Sequence, residues 1–131
     1  MKLRIYILLN NKYYLFNEPF YELFSDPTMT LHIITRSDTH SQSIHNCLSV
    51  ANSSDALLFI EDGTYCQRNP TLLQKINERG IKTYWLQPDL TARGLTSNTN
   101  CNPNCNPNCN VVDYSGFVAL TEKHSASQTW G

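Results

Sequence analysis

From Met29 onward, short apolar runs alternate with amphipathic stretches, a pattern that predicts strands and helices in turn. Leu31-His32-Ile33-Ile34-Thr35 reads as a β-branched strand ended by the polar Arg36-Ser37-Asp38, with Ser41 or Ser43 placed to cap a first helix. Ile44, Cys47, Leu48 and Ala51 recur at i, i+3, i+4 and i+7, the spacing of one buried helical stripe. Asn52 to Asp55 breaks that helix. Ala56-Leu57-Leu58-Phe59-Ile60 is apolar at every position, as a strand covered on both faces is, and is the candidate for the centre of a sheet. Glu61-Asp62-Gly63 closes it. Asn69-Pro70 then opens a second helix, because proline at the first helical position gives up an N–H that would lack a partner anyway. Leu72, Leu73 and Ile76 form its inner face and Gly80 ends it. Lys82 to Leu86 reads as a strand and Asp89 to Arg93 as a short helical turn stopped by Gly94. Beyond a polar loop come Val111-Val112-Asp113-Tyr114 as a last strand and Gly116 to Lys123 as a last helix.

Strands alternating with helices across short loops indicate a single α/β domain, flavodoxin-like, with a mostly parallel sheet flanked by helices. In such folds chemistry gathers at the carboxyl ends of the strands, here after Thr35, Ile60, Leu86 and Tyr114. The domain is expected over residues 29–131, with an asparagine- and cysteine-rich loop insertion at 98–110. Residues 1–28 are aromatic-rich, interrupted by Pro19 and Pro27, and form an N-terminal extension open to two readings. Either translation begins at Met29 and the stretch is a start-site artefact, or its Tyr and Phe residues cover a partner surface.

Charge narrows the function classes. Ten Lys+Arg against eleven Asp+Glu give a net charge of -1 with the basic residues scattered, so no dense cationic face exists to neutralise a run of phosphates, and direct nucleic-acid binding is disfavoured. Ile5 to Leu9 falls far short of the roughly 20 apolar residues of a membrane span. It is also too short for a secretory signal, which points to a cytoplasmic address. With five cysteines and a reducing compartment, free thiols are expected rather than a disulfide framework. Neither a phosphate-binding glycine loop nor a zinc-protease or serine-elbow signature occurs, and no cofactor is implied.

A reactive cysteine needs an accessible thiolate made acidic by a helix N-terminus or a nearby cation. Cys47 lies on the apolar stripe, where a thiol packs as a small hydrophobe, and is a weak candidate for such a thiol. Cys66 follows a strand end and precedes a helix, with Arg68 as a nearby cation, and is the better placed of two weak candidates. Cys101, Cys105 and Cys109 sit in Asn-Pro-Asn-Cys units whose turns could bring three thiols together for zinc or copper(I). A C-x₃-C-x₃-C spacing without a fourth ligand is a weak metal signal, and the stretch reads as an exposed repeat expansion whose thiols oxidise readily. His32, His40, His45 and His124 share no metal spacing, and Asp62 and Asp113, at strand ends, could cap loops or orient a partner, with loop capping favoured in the absence of a third group.

Several strings stand in a recognisable order: Leu31-His32, Leu57-Leu58 leading to Glu61-Asp62-Gly63, Pro88-Asp89-Leu90 with Ala92-Arg93-Gly94-Leu95, Val112-Asp113-Tyr114, Phe117-Val118 with Leu120-Thr121, and Lys123-His124 with Trp130. The ordered set resembles the TusB/DsrH family of sulfur-relay and sulfur-oxidation subunits. The resemblance implies a DsrE/DsrF-like fold and assembly with TusC-like and TusD-like subunits as a dimer of heterotrimers. It also implies a relay in which persulfide sulfur moves towards 2-thiolation of the tRNA wobble uridine. The acceptor cysteine of that relay belongs to the D-type subunit, so a B-type chain is expected to be a non-catalytic subunit of a sulfurtransferase complex. Two alternatives stand beside this reading. One is a DsrH-type subunit of dissimilatory sulfur oxidation, favoured by Cys47, where Tus-type chains tend to carry leucine. The other is a flavodoxin-like module that binds a small molecule. Tyr6, Tyr13, Tyr14, Phe16, Tyr84, Trp85 and Trp130 together exceed what one small core absorbs, so part of that surface is expected to bury against partners.

Overall fold

The computed structural model describes residues 5–9, 11–16, 29–95 and 109–131. Ahead of the α/β unit, β1 (Ile5–Leu9) and β2 (Lys12–Phe16) pair antiparallel, with Leu9 opposite Lys12 and Ile5 opposite Phe16. Asn11 in the turn takes a φ of 62°, a left-handed value that asparagine tolerates better than most residues. The hairpin is a separate two-stranded sheet.

Five parallel strands make the main sheet: β3 (Thr30–Ile34), β4 (Ala56–Phe59), β5 (Lys82–Leu86), β6 (Cys109–Val112) and β7 (Ala126–Trp130). Their spatial order is β6-β5-β4-β3-β7. The all-apolar β4 lies at the centre, as its sequence predicts, and all four of its residues are buried. Each connection carries a helix: α1 (Ser43–Val50), α2 (Pro70–Glu78), α3 (Gln87–Ala92) and α4 (Tyr114–Lys123). This is the expected single-domain, flavodoxin-like α/β architecture.

Alternation along the strands sorts the core into two layers. Ile34, Leu57, Phe59 and Trp85 face α1, α2 and α3, joining Ile44, Cys47, Leu72, Ile76 and Leu90. Leu31, Ile33, Ala56 and Leu58 face the other way, against Leu120 of α4. On the first face the Phe59 and Trp85 rings stack with centroids 4.2 Å apart, adding about 0.5–1.5 kcal/mol to the burial of two large side chains.

Several elements differ from the sequence reading. An eight-residue 3-10 segment, Glu61–Arg68, occupies what the sequence suggests is loop. Tyr114 opens α4 rather than ending a strand, with Asp113 as the cap whose Oδ1 accepts the Gly116 N–H at 2.8 Å. After α4 the chain makes one further strand, β7, alongside β3. Cys109, placed in the loop insertion by sequence, begins β6, opposite Thr83. Neither Ser41 nor Ser43 is the residue preceding α1, which is Gln42, although the Ser41 hydroxyl accepts the Ser43 N–H at 3.1 Å. At the other end of α1, Arg79 donates to the carbonyls of Leu48 and Ala51, occupying acceptors that the helix terminus leaves free.

Candidate functional site

The strands run one way, so their carboxyl ends share one rim, and the sequence changes direction across the sheet beside β3. The crevice between β3 and β7 is closed there: the Thr35 N–H and hydroxyl both donate to the Trp130 carbonyl, at 3.2 and 3.1 Å. The open cavity lies one step over, between the loops after β3 and β4. It has a volume of about 1050 Å³ and is walled by Thr35 to His40 on one side and by Glu61, Asp62, Tyr65 and Arg68 to Pro70 on the other.

The loop after β4 is held from several sides. Ile60 N–H donates to the Ile34 carbonyl at 3.0 Å, and Gly63 packs so closely that a Cβ there would sit 2.1 Å from the same oxygen. Glu61 adopts a φ of 49°, costly for a non-glycine residue, and its N–H donates to Asp89 Oδ2 at 2.6 Å. Asp62 accepts from Arg93 Nε at 3.0 Å. Opposite, Asn69 caps α2 by accepting the Leu72 N–H and donates its Nδ2 to Asp38 at 2.8 Å, which ties the two walls together. The His40 ring contacts the hydroxyls of Ser37 and Thr39 through Nδ1, at 3.0 and 2.9 Å, and the Arg68 guanidinium lies 5.1 Å over the Tyr65 ring.

Cys66 belongs to the rim segment but turns away from the cavity. The 3-10 coil brings residues three apart to one side, so Gly63 and Cys66 both face inward and the thiol is fully buried, Sγ 4.0 Å from the Arg36 carbonyl. Burial first, and then the Asp38 carboxylate, push its pKa from 9.0 up to about 12. The Arg68 cation that the sequence places beside this thiol lies on Tyr65 instead. Cys47 is also fully buried, and burial, with a smaller contribution from Asp55, raises its pKa to about 12 against the opposing pull of Arg79. Cys101 and Cys105 lie outside the described residues, as does the side chain of Cys109. Among the described residues no three His, Cys, Asp or Glu side chains converge as a metal site.

Sequence reasoning does not find a polar chain that runs along β3 from Trp130 at the carboxyl rim to Asp55 at the amino rim. The Trp130 indole N–H can only donate, so it fixes His32 Nδ1 as the acceptor, at 3.1 Å, and leaves Nε2–H to donate to Asp55 Oδ2 at 2.9 Å. Asp55 also accepts the backbone N–H groups of Thr30 and Asn52, both at 3.0 Å. The three side chains lie 23 and 98 residues apart, and nothing in their local spacing links them. His40 lines the cavity and His45 is exposed on α1, while His124, buried, is 2.8 Å through Nδ1 from the Leu120 carbonyl. Trp85, among the aromatics expected to exceed the core, is absorbed by it. The side chains of Tyr6, Tyr13, Tyr14 and Phe16 lie outside the described residues.

A parallel five-stranded sheet with helices on both faces, a built cavity at its carboxyl rim and no exposed thiol among the described residues defines the class as a small α/β domain. The family described as DsrH-like protein matches residues 36–127. Over 84 residues the chain is 34% identical to Protein TusB of Escherichia coli O1:K1, and the match covers 63% of this chain and 82% of that protein. Protein TusB of Escherichia coli O139:H28 and of Shigella boydii serotype 18 match to the same extent. The chain belongs to the TusB/DsrH family. Among the described residues no helix is long and apolar enough to cross a membrane.

Proposed function

We propose that the chain is the B-type subunit of a cytoplasmic sulfur relay. It assembles with TusC-like and TusD-like partners as a dimer of heterotrimers and serves the passage of persulfide sulfur towards 2-thiolation of the tRNA wobble uridine. In this reading residues 29–131 form the assembling domain, and the sulfur-accepting thiol belongs to a partner. The supporting observation is the burial of Cys47 and Cys66 at 0% exposure. A persulfide forms when a thiolate attacks sulfane sulfur. With burial pushing their pKa up to about 12, both thiols stay protonated near neutral pH, and neither can be reached without opening the core.

The test is native and peptide mass spectrometry of the chain coexpressed with its TusC-like and TusD-like partners and loaded by a cysteine desulfurase. A heterohexamer with sulfur only on the D-type partner is the expected result. Added sulfur on Cys47 or Cys66 would make the chain a carrier and sink the non-catalytic reading, and a chain that never assembles would sink the relay reading altogether.

A further inference from the structure

We propose that the cavity at the carboxyl ends of β3 and β4 binds a small organic phosphate monoester, with the phosphate held between Arg36 and Arg68 at the start of α2. The charges that line it sort themselves by pairing. Asp38 is engaged by Asn69 and Asp62 by Arg93, so two of the three carboxylates already have donors. Among the described residues the carboxylate pairs are Arg93 with Asp62 and His32 with Asp55, which leaves Arg36 and Arg68 with no carboxylate partner. Both arginines are exposed and both line the cavity. Stacking on Tyr65 orients the Arg68 fork, and a guanidinium fork suits a tetrahedral oxyanion better than a point charge does. Asn69 and Pro70 bring the positive end of the α2 dipole to the same place, and the Ser37 and Thr39 hydroxyls, gathered on His40, supply further polar contacts.

Size and the far wall define the rest of the ligand. A volume of about 1050 Å³ far exceeds a bare phosphate and suits a molecule the size of a mononucleotide or sugar phosphate. Glu61 stands at the other end of the 3-10 segment from Arg68. Its carboxylate has no donor among the described contacts, so the organic part reaching it presents hydroxyl or amino donors rather than a second anion. An acidic peptide would set further carboxylates against Glu61 and is disfavoured for that reason. The left-handed backbone of Glu61, held by Asp89, adds the local strain that binding sites often hold.

Calorimetric titration of the full-length chain with AMP and with ribose 5-phosphate tests this independently of any relay partner. Saturable binding of at least one of them is expected, with adenosine failing to compete. Arg36→Ala and Arg68→Ala should each weaken binding about tenfold or more, Arg68→Lys less, and added salt should weaken it further. Circular dichroism of each variant separates lost binding from lost fold. No saturable binding of either phosphate, unchanged affinity in both folded alanine variants, or displacement of AMP by an oligoglutamate peptide at equal or lower concentration would overturn the proposal.

Discussion

Among the described residues the two faces of the sheet are covered unequally. Three helices lie on one, and its core, closed around Phe59 and Trp85, extends from Ile34 to Leu95 with nearly every member at or near zero exposure. One helix lies on the other, where Leu120 is the helical residue that reaches the buried layer and Tyr84, Val112 and Phe117 are only half covered. On the outer side of that helix Tyr114 and Val118, one turn apart, are 62% and 54% exposed. The stability of the isolated chain is therefore concentrated on one face, and the other is where a substitution is cheapest to the fold.

Removing a large side chain from the deep layer should have the largest effect. Phe59→Ala leaves a cavity and an unstacked Trp85, and denaturant unfolding should show a loss of about 3–5 kcal/mol. Asp55→Ala comes next, at about 3 kcal/mol, because it strips the acceptor from buried His32 and from two backbone N–H groups. The near-ultraviolet signal of Trp130 should change with it. Leu120→Ala, on the thin face, should cost about 2 kcal/mol, the low end for a leucine truncation, because its surroundings are open enough to relax. A Leu120 loss equal to that of Phe59 would mean that the two faces contribute alike and the contrast fails.

An effect absent at neutral pH grows on the alkaline side. Burial raises both thiols from 9.0 in the unfolded chain to about 12 in the folded one. The advantage of the neutral buried thiol is fully present below about pH 9 and is lost progressively as the pH climbs towards about 12. A C47A/C66A double variant should flatten that part of the stability curve. In the parent chain both thiols should react with alkylating reagents only at the rate of core opening.

The deep face is the legible one. Strand β4 announces itself by five successive apolar residues, and α2 by Asn69-Pro70 and its stripe. Strand β7 escapes because Ala126, Ser127, Gln128 and Thr129 are all exposed at the sheet edge, so neither an apolar run nor an alternation marks it. The hairpin signal is present in Ile5–Leu9 and Lys12–Phe16, two β-prone runs separated by two asparagines, but it is outweighed by the lack of a period across residues 1–28. Cys66 misleads for a local reason: a loop would leave it beside Arg68 at the rim, whereas the 3-10 coil rotates the thiol inward and the guanidinium outward. The cavity at the rim is legible as a place but not as a constellation, since Arg36 and Arg68, 32 residues apart, come to line one cavity only when their two loops are folded together.

Strand β3 takes one neighbour from β4 and the other from β7, and its His32 waits for Trp130, 98 residues downstream. At roughly 5–20 residues per second, a ribosome needs about 5–20 s to deliver that partner after His32 has emerged. During that interval β3 offers a bare, apolar edge and an incomplete buried hydrogen-bond chain. The nascent protein thus passes through a stage in which assembly with another strand competes with its own completion, and the timing of synthesis becomes part of what decides whether the sheet closes correctly.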